Sequence, residues 1–137
     1  MTPHQTQLIR ESFAHLHRRQ AESAELFYGR LFEIAPETRA LFKTDIRSQG
    51  VKLMESLTVA IASLNDRPGL TAFLKKLGRN HRNYGVEAKH YASVGEALIW
   101  TLQTSMGKEF TDETRLAWEI LYGDISGVMI KAQEAVS

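Results

Sequence analysis

The stretch 70-LTAFLKKLGRNHRNYGV-86 decides how this chain is read. Leu70, Phe73, Leu74 and Leu77 recur at i, i+3, i+4 and i+7, the spacing that lines one face of an α-helix, and His81 is the next position on that stripe. The imidazole is therefore expected to face inward. An unpaired ring nitrogen in an apolar interior costs about 1–3 kcal/mol, so such a histidine is either hydrogen-bonded within the core or ligates something. Taken alone, the stretch leaves both open, with the structural role the commoner one.

The rest of the composition narrows the setting. At 137 residues the chain suits one domain with one core and is short for two. Seventeen basic residues against sixteen acidic ones give a net charge of +1, which offers no electrostatic argument for nucleic acid or an anionic membrane, so a small partner is expected. The absence of cysteine excludes disulfides, thiolate metal sites and cysteine nucleophiles, and fits a reducing cytoplasm. No apolar run has the length of a membrane span and no apolar signal region opens the chain, so a cytoplasmic protein is expected.

Working outward from the central stretch, helical periodicity recurs in every segment. Thr2-Pro3-His4-Gln5 has a hydroxyl cap, proline at the first helical position and glutamine three beyond the cap, so a helix with Ile9, Phe13 and Leu16 inward should follow. A second helix over about 21–35 places Ala24, Phe27, Tyr28, Leu31 and Ile34 on its buried side and ends at Ala35-Pro36, before a short turn through Leu41-Phe42. From about Asp45 to Leu64, Ile46, Gly50, Leu53, Met54, Leu57 and Ile61 share a face, with Gln49 among them. A glutamine there is unexpected, because its amide must be satisfied. Asn65 to Gly69 reads as a turn. After Gly85 a helix carries Tyr91, Val94, Gly95, Leu98, Leu102 and Met106, and a last one, capped at Thr111, buries Trp118, Leu121, Ile125, Val128, Met129 and Ala132. Gly78 with Gly85, and Gly123 with Gly127, suggest close backbone approach. No strand pattern, repeat or linker intervenes; the expectation is a single all-α domain of about six main helices.

The blocks 26-LFYGRLFEIAPETRALF-42, 49-QGVKLM-54, 77-LGRNHRNYGV-86, 94-VGEALIWTL-102 and 117-AWEILYG-123 resemble the globins, specifically the bacterial single-domain branch related to flavohaemoglobin haem domains, and are also similar to neuroglobin. The resemblance runs over nearly the whole chain and implies the globin fold around haem b, iron protoporphyrin IX. His81 matches the proximal histidine that ligates the iron, and Phe42 the phenylalanine that wedges against the haem face. Gln49 stands where vertebrate globins carry a distal histidine, Leu53 matches the apolar residue over the iron, and Tyr28 the distal tyrosine of the flavohaemoglobin group. Leu77, Val86 and Tyr91 match the walls around the proximal side. Lys52, Arg79 and Arg82 are open between solvated helix faces and partners of the haem propionates. His4, His15, His17 and His90 read as surface or capping residues.

Two departures from those relatives shape the expected chemistry. With glutamine at position 49, the bis-histidine coordination of neuroglobin is not expected. In flavohaemoglobins a tyrosine and a glutamate stand behind the proximal histidine; Tyr91 matches the tyrosine, whereas the glutamate position falls on Gln133 with Glu134 beside it. No reductase half is expected, since the chain ends close after its last helix. The resemblance implies a globin that binds oxygen reversibly with high affinity, because inward donors from Tyr28 and Gln49 stabilise a ligand that takes up negative charge. The alternatives are a nitric oxide dioxygenase served by a separate reductase, and a haem-based gas sensor. Dioxygen, nitric oxide and carbon monoxide are the implied ligands, and a monomer or weak homodimer the implied state.

Overall fold

The helices form where local sequence encodes them. The computed structural model describes residues 1–42, 45–83 and 85–135, apart from the side chains of Arg82 and Asn83. Its six α-helices among those residues are α1 (Pro3–His17), α2 (Gln20–Ile34), α3 (Ile46–Ala62), α4 (Arg67–Asn83), α5 (Ala88–Met106) and α6 (Asp112–Ala135). Short 3-10 turns occupy Pro36–Leu41 and Gly107–Glu109. No strand occurs among the described residues.

The first helix starts as expected. Thr2 Oγ1 accepts from the Gln5 amide at 3.1 Å while the Thr2 amide donates to Gln5 Oε1 at 2.9 Å, so two donors that the helix cannot satisfy internally are satisfied by each other's residues. α1 then lies on α6, where the buried Trp118 indole donates to Ser12 Oγ at 2.7 Å. α2 ends at Ala35, and Thr38 Oγ1 donates back to the Ala35 carbonyl at 2.7 Å, closing the turn that leads to Phe42.

One boundary differs from the sequence expectation. Asn65 to Gly69 is not all turn, because α4 begins at Arg67 and takes Pro68 and Gly69 into its first turn. Proline is tolerated there since the first amides of a helix have no intrahelical acceptor. Asp66 supplies the cap instead, its Oδ1 accepting from the Gly69 amide at 3.1 Å and its carbonyl from Leu70 at 2.8 Å.

Two glycines set how closely the helices cross. A Cβ at Gly50 would fall 2.6 Å from Ala24 Cβ, so α3 meets α2 almost backbone to backbone. A Cβ at Gly78 would fall 2.5 Å from the Met129 carbonyl oxygen and 2.8 Å from its Cα, which brings α4 equally close to α6. The expectation for Gly123 and Gly127 is overturned: an added Cβ at either meets nothing within 4 Å, because both lie on parts of α6 that no neighbouring helix crosses closely.

These crossings have one consequence for function. α2 packs on α3 and α5, α1 and α4 pack on α6, and α3 and α4 touch only slightly although a short turn joins them. The apolar interior is correspondingly divided. One cluster includes Tyr28, Leu31, Met54 and Leu98, with Phe42, Leu53 and Leu57 against it, and the other includes Leu70, Leu74, Tyr91 and Met129, with Leu77 and Val86 against it. Leu64 and Ile125 border both.

Candidate functional site

His81 projects from the inner face of α4 and is half-buried. Its Nδ1 lies 2.7 Å from the Leu77 carbonyl oxygen, four residues back on the same helix. A carbonyl only accepts, so the ring proton is at Nδ1 and the lone pair at Nε2. Burial lowers the imidazole pKa below its ordinary 6.5, opposed in part by the Leu77 hydrogen bond, and the ring is neutral at pH 7. A neutral imidazole held in one tautomer is the form that ligates a metal. No group of three or more His, Cys, Asp or Glu side chains among the described residues could hold a metal ion.

The segment after α4 is fastened from two sides. The Val86 amide donates to the His81 carbonyl at 3.4 Å, and the Val86 carbonyl accepts from Gln133 Nε2 on α6. Because that amide nitrogen is committed to Val86, Gln133 turns its Oε1 to Tyr91, whose hydroxyl donates to it at 2.9 Å. Burial pushes the Tyr91 hydroxyl up to about 12, so it remains a proton donor. The residue paired with Tyr91 is therefore Gln133, and Glu134 is exposed. The chain of contacts behind His81 ends in a neutral amide.

Tyr122 belongs to the same wall and was not expected from sequence. Its hydroxyl donates to the Tyr91 carbonyl at 2.5 Å, and its ring fills the space that a Cβ at Gly95 would take, 2.6 Å from the ring edge. Burial raises its pKa, with Tyr91 adding to the rise and a Gly95 backbone hydrogen bond opposing it. The signal was available only as a pair: Tyr122 stands one turn beyond Trp118 on α6, opposite a glycine on α5.

On the α2 and α3 side the arrangement differs. Tyr28 is only 4% exposed, with ring centroids at 4.9 Å from Phe27, 5.1 Å from Phe42 and 5.9 Å from Phe32. The contacts with Phe27 and Phe42 are edge-on and hold the phenol in place. Its hydroxyl makes no hydrogen bond among the described residues, and burial raises its pKa well above the ordinary 10, so it keeps its proton. Phe42 also packs 5.8 Å from Phe32, a residue that sequence reasoning did not single out. Gln49 and Leu53 are half-buried on α3, whereas Lys52 is exposed. The Arg82 side chain lies outside the described residues.

The structure thus gathers Tyr28, Phe42 and Leu53 in one apolar cluster and Leu77, Val86 and Tyr91 in the other. The remaining histidines serve elsewhere. His4 and His15 meet Glu113 and Glu109 at 3.0 and 3.2 Å, His17 is exposed, and His90 Nδ1 accepts from the Glu87 amide at 2.9 Å to cap α5. An open surface cleft of about 700 Å³, lined in part by Arg10, Leu64 and Asp124, contains none of the site residues.

Similarity to known proteins follows the same lines. The neuroglobins of Chaenocephalus aceratus and Danio rerio are 32% and 30% identical to this chain, with 90% of it aligned and 86% and 87% of theirs. An engineered carbene transferase built on a proposed nitric oxide dioxygenase from Rhodothermus marinus superimposes with a TM-score of 0.87 at 26% identity, over 99% of this chain and 95% of that one. A bacterial globin from Campylobacter jejuni shares the fold, with a TM-score of 0.85 at 24% identity over 98% of both chains. The Globin family model matches residues 25–129, and the chain belongs to the globin family.

Proposed function

We propose that this protein holds haem b between α3 and α4 and reversibly binds a diatomic gas, with dioxygen the principal ligand. Membership of the globins supports haem as the group, and the residues fit it. When bound, haem supplies an iron with one position open to a gas.

His81 would hold the haem iron through Nε2, with the Leu77 carbonyl fixing the tautomer. Leu77, Val86 and Tyr91 wall the proximal side, and Phe42 and Leu53 the distal side. Tyr28 and Gln49 offer hydrogen-bond donors to a ligand that takes up negative charge, which favours dioxygen over the nonpolar carbon monoxide. Lys52 is a solvent-side cation available to a propionate.

One observation carries this reading: a neutral imidazole fixed by Leu77 in one apolar cluster is matched by a buried phenol, with no hydrogen bond among the described residues, in the other. A phenol held in place by rings, with its hydroxyl uncommitted to a protein acceptor, can donate to a ligand without first giving up another hydrogen bond. Absorption spectra of the purified protein in ferric, reduced and oxygenated states test it. Colourless protein from cells with ample haem, or an unchanged spectrum in His81→Ala, would overturn it.

Nitric oxide dioxygenase action with a separate reductase is the second reading, favoured by the likeness to the Rhodothermus marinus protein. Sustained nitric oxide consumption with a reductase, rather than a single turnover of the oxygenated form, distinguishes it.

A further inference from the structure

The outer face of α4 carries basic residues and no acid. Between Arg67 and Val86 the chain carries Arg67, Lys75, Lys76, Arg79 and Arg82 and no acid. Because the whole chain has seventeen basic residues and sixteen acidic ones, the remainder holds twelve basic against sixteen acidic. Lys75, Lys76 and Arg79 are exposed, and none of them forms an ion pair among the described residues.

The helix itself gives no reason for this arrangement. Lys75 and Arg79 stand at i, i+4, and Lys76 and Arg79 at i, i+3, so the like charges are neighbours and destabilise the helix. The helix dipole favours cations in the last turn, but Lys75 and Lys76 lie farther back from the end at Asn83. α2, by contrast, pairs Arg30 with Glu33 at 3.2 Å. A local arrangement that opposes folding and is left uncompensated points to a partner.

We propose that the Lys75, Lys76 and Arg79 face of α4 is the docking surface for a small acidic electron-carrier protein. The sign and position of the surface come from the charges alone; the choice of an electron carrier rests on the haem reading. At 100° per residue Arg79 lies on the opposite side of α4 from His81, so a docked partner is separated from the proposed axial ligand by about 10 Å, one helix diameter. A bilayer is disfavoured because the exposed positions from Ala72 to Asn80 are Ala72, Lys75, Lys76, Arg79 and Asn80, with no large apolar side chain to insert. A nucleic acid is disfavoured because no exposed aromatic ring accompanies the cations among the described residues and the rest of the chain has acidic excess. A compact carboxylate-rich face matches the patch in sign.

The test uses the purified full chain with flavodoxin as the acidic probe, and reads binding by calorimetry at low and moderate salt. The triple variant Lys75→Glu, Lys76→Glu, Arg79→Glu is compared with Arg10→Glu, Arg18→Glu, Lys108→Glu, which makes the same charge change on exposed positions elsewhere. The expected result is binding that weakens with salt, a loss of about tenfold or more in the α4 variant, and little change in the control. Equal loss in both variants, no binding by the native chain, or tighter binding to phosphatidylglycerol vesicles or duplex DNA than to flavodoxin would each overturn the proposal. Haem content, read separately by absorption, distinguishes the two claims: a haem-free chain that still binds flavodoxin through α4 ends the haem reading and leaves the surface standing.

Discussion

His81 and Tyr28, on the two sides of the candidate site, are held in place by different means. On the proximal side, each polar group has a protein partner: His81 donates to Leu77, Tyr91 to Gln133, Gln133 to Val86, and Tyr122 to the Tyr91 carbonyl. On the distal side, Tyr28 is fixed by aromatic rings rather than by hydrogen bonds, and its hydroxyl has no acceptor among the described residues. A donor already committed to protein cannot change partners without cost, whereas a caged but uncommitted one can meet a ligand with little reorganisation. The pinned side suits permanent attachment and the other suits transient binding.

The largest effect should come from the pinned side. His81→Ala is expected to abolish axial ligation and most haem retention, with added imidazole restoring a six- or five-coordinate spectrum; retention of the native spectrum would remove His81 from the site. On the distal side, Tyr28→Phe removes one donor while keeping the ring. Stopped-flow measurement should give oxygen release faster by about tenfold, the value of a hydrogen bond of about 1.5 kcal/mol to a charged acceptor. An unchanged rate would erase the contrast between the two sides.

Acid sharpens the comparison, because His81 is the one imidazole among the described residues assigned to the site. The folded pKa of His81 lies below its ordinary 6.5, so the unfolded chain takes up its proton first as pH falls. The stability contributed by the neutral ring is fully present above 6.5 and is lost as pH drops through the folded pKa. Thermal unfolding between pH 7.5 and 5 should show this loss, and His81→Gln should flatten it. A slope unchanged in His81→Gln would assign the acid sensitivity to other groups.

Gln133→Glu tests whether the amide is required for its two-way fit. A carboxylate there would face the Val86 carbonyl with no proton to offer, so destabilisation of about 1–3 kcal/mol is expected at pH 7, relieved as acid protonates it. Chemical denaturation at the two pH values measures it, and equal stability would show that the Val86 contact is dispensable. The smallest effect is expected for Gln49→Leu, a severalfold rise in oxygen release, since Gln49 is only half-buried. No change in release or autoxidation would leave Tyr28 as the sole distal donor.

Much of this was legible before the structure. The inward faces of all six helices followed from spacing, as did the cap at Thr2 and the burial of Tyr28. The start of α4 was missed because Pro68-Gly69 has turn composition, while the Asp66 cap that overrides it is a local hydrogen bond that composition does not reveal. Phe32 was overlooked because its neighbours Leu31 and Tyr28 satisfied the periodic stripe, although its ring reaches Phe42. Tyr122 and Gly95 had meaning only together, and the glycine pair in α6 had the right composition in the wrong place.

The sequence by itself determined the helices, their buried faces, and an inward histidine and tyrosine, because each depends on contacts within a turn or two or on the burial of an apolar stripe. Tertiary structure alone decided that Gln133 and not Glu134 pairs with Tyr91, that Tyr122 fills the place of a missing Cβ, and that α3 and α4 diverge to divide the core. Those outcomes depend on which surfaces meet across tens of residues, at distances where one side chain more or less changes the approach of two helices.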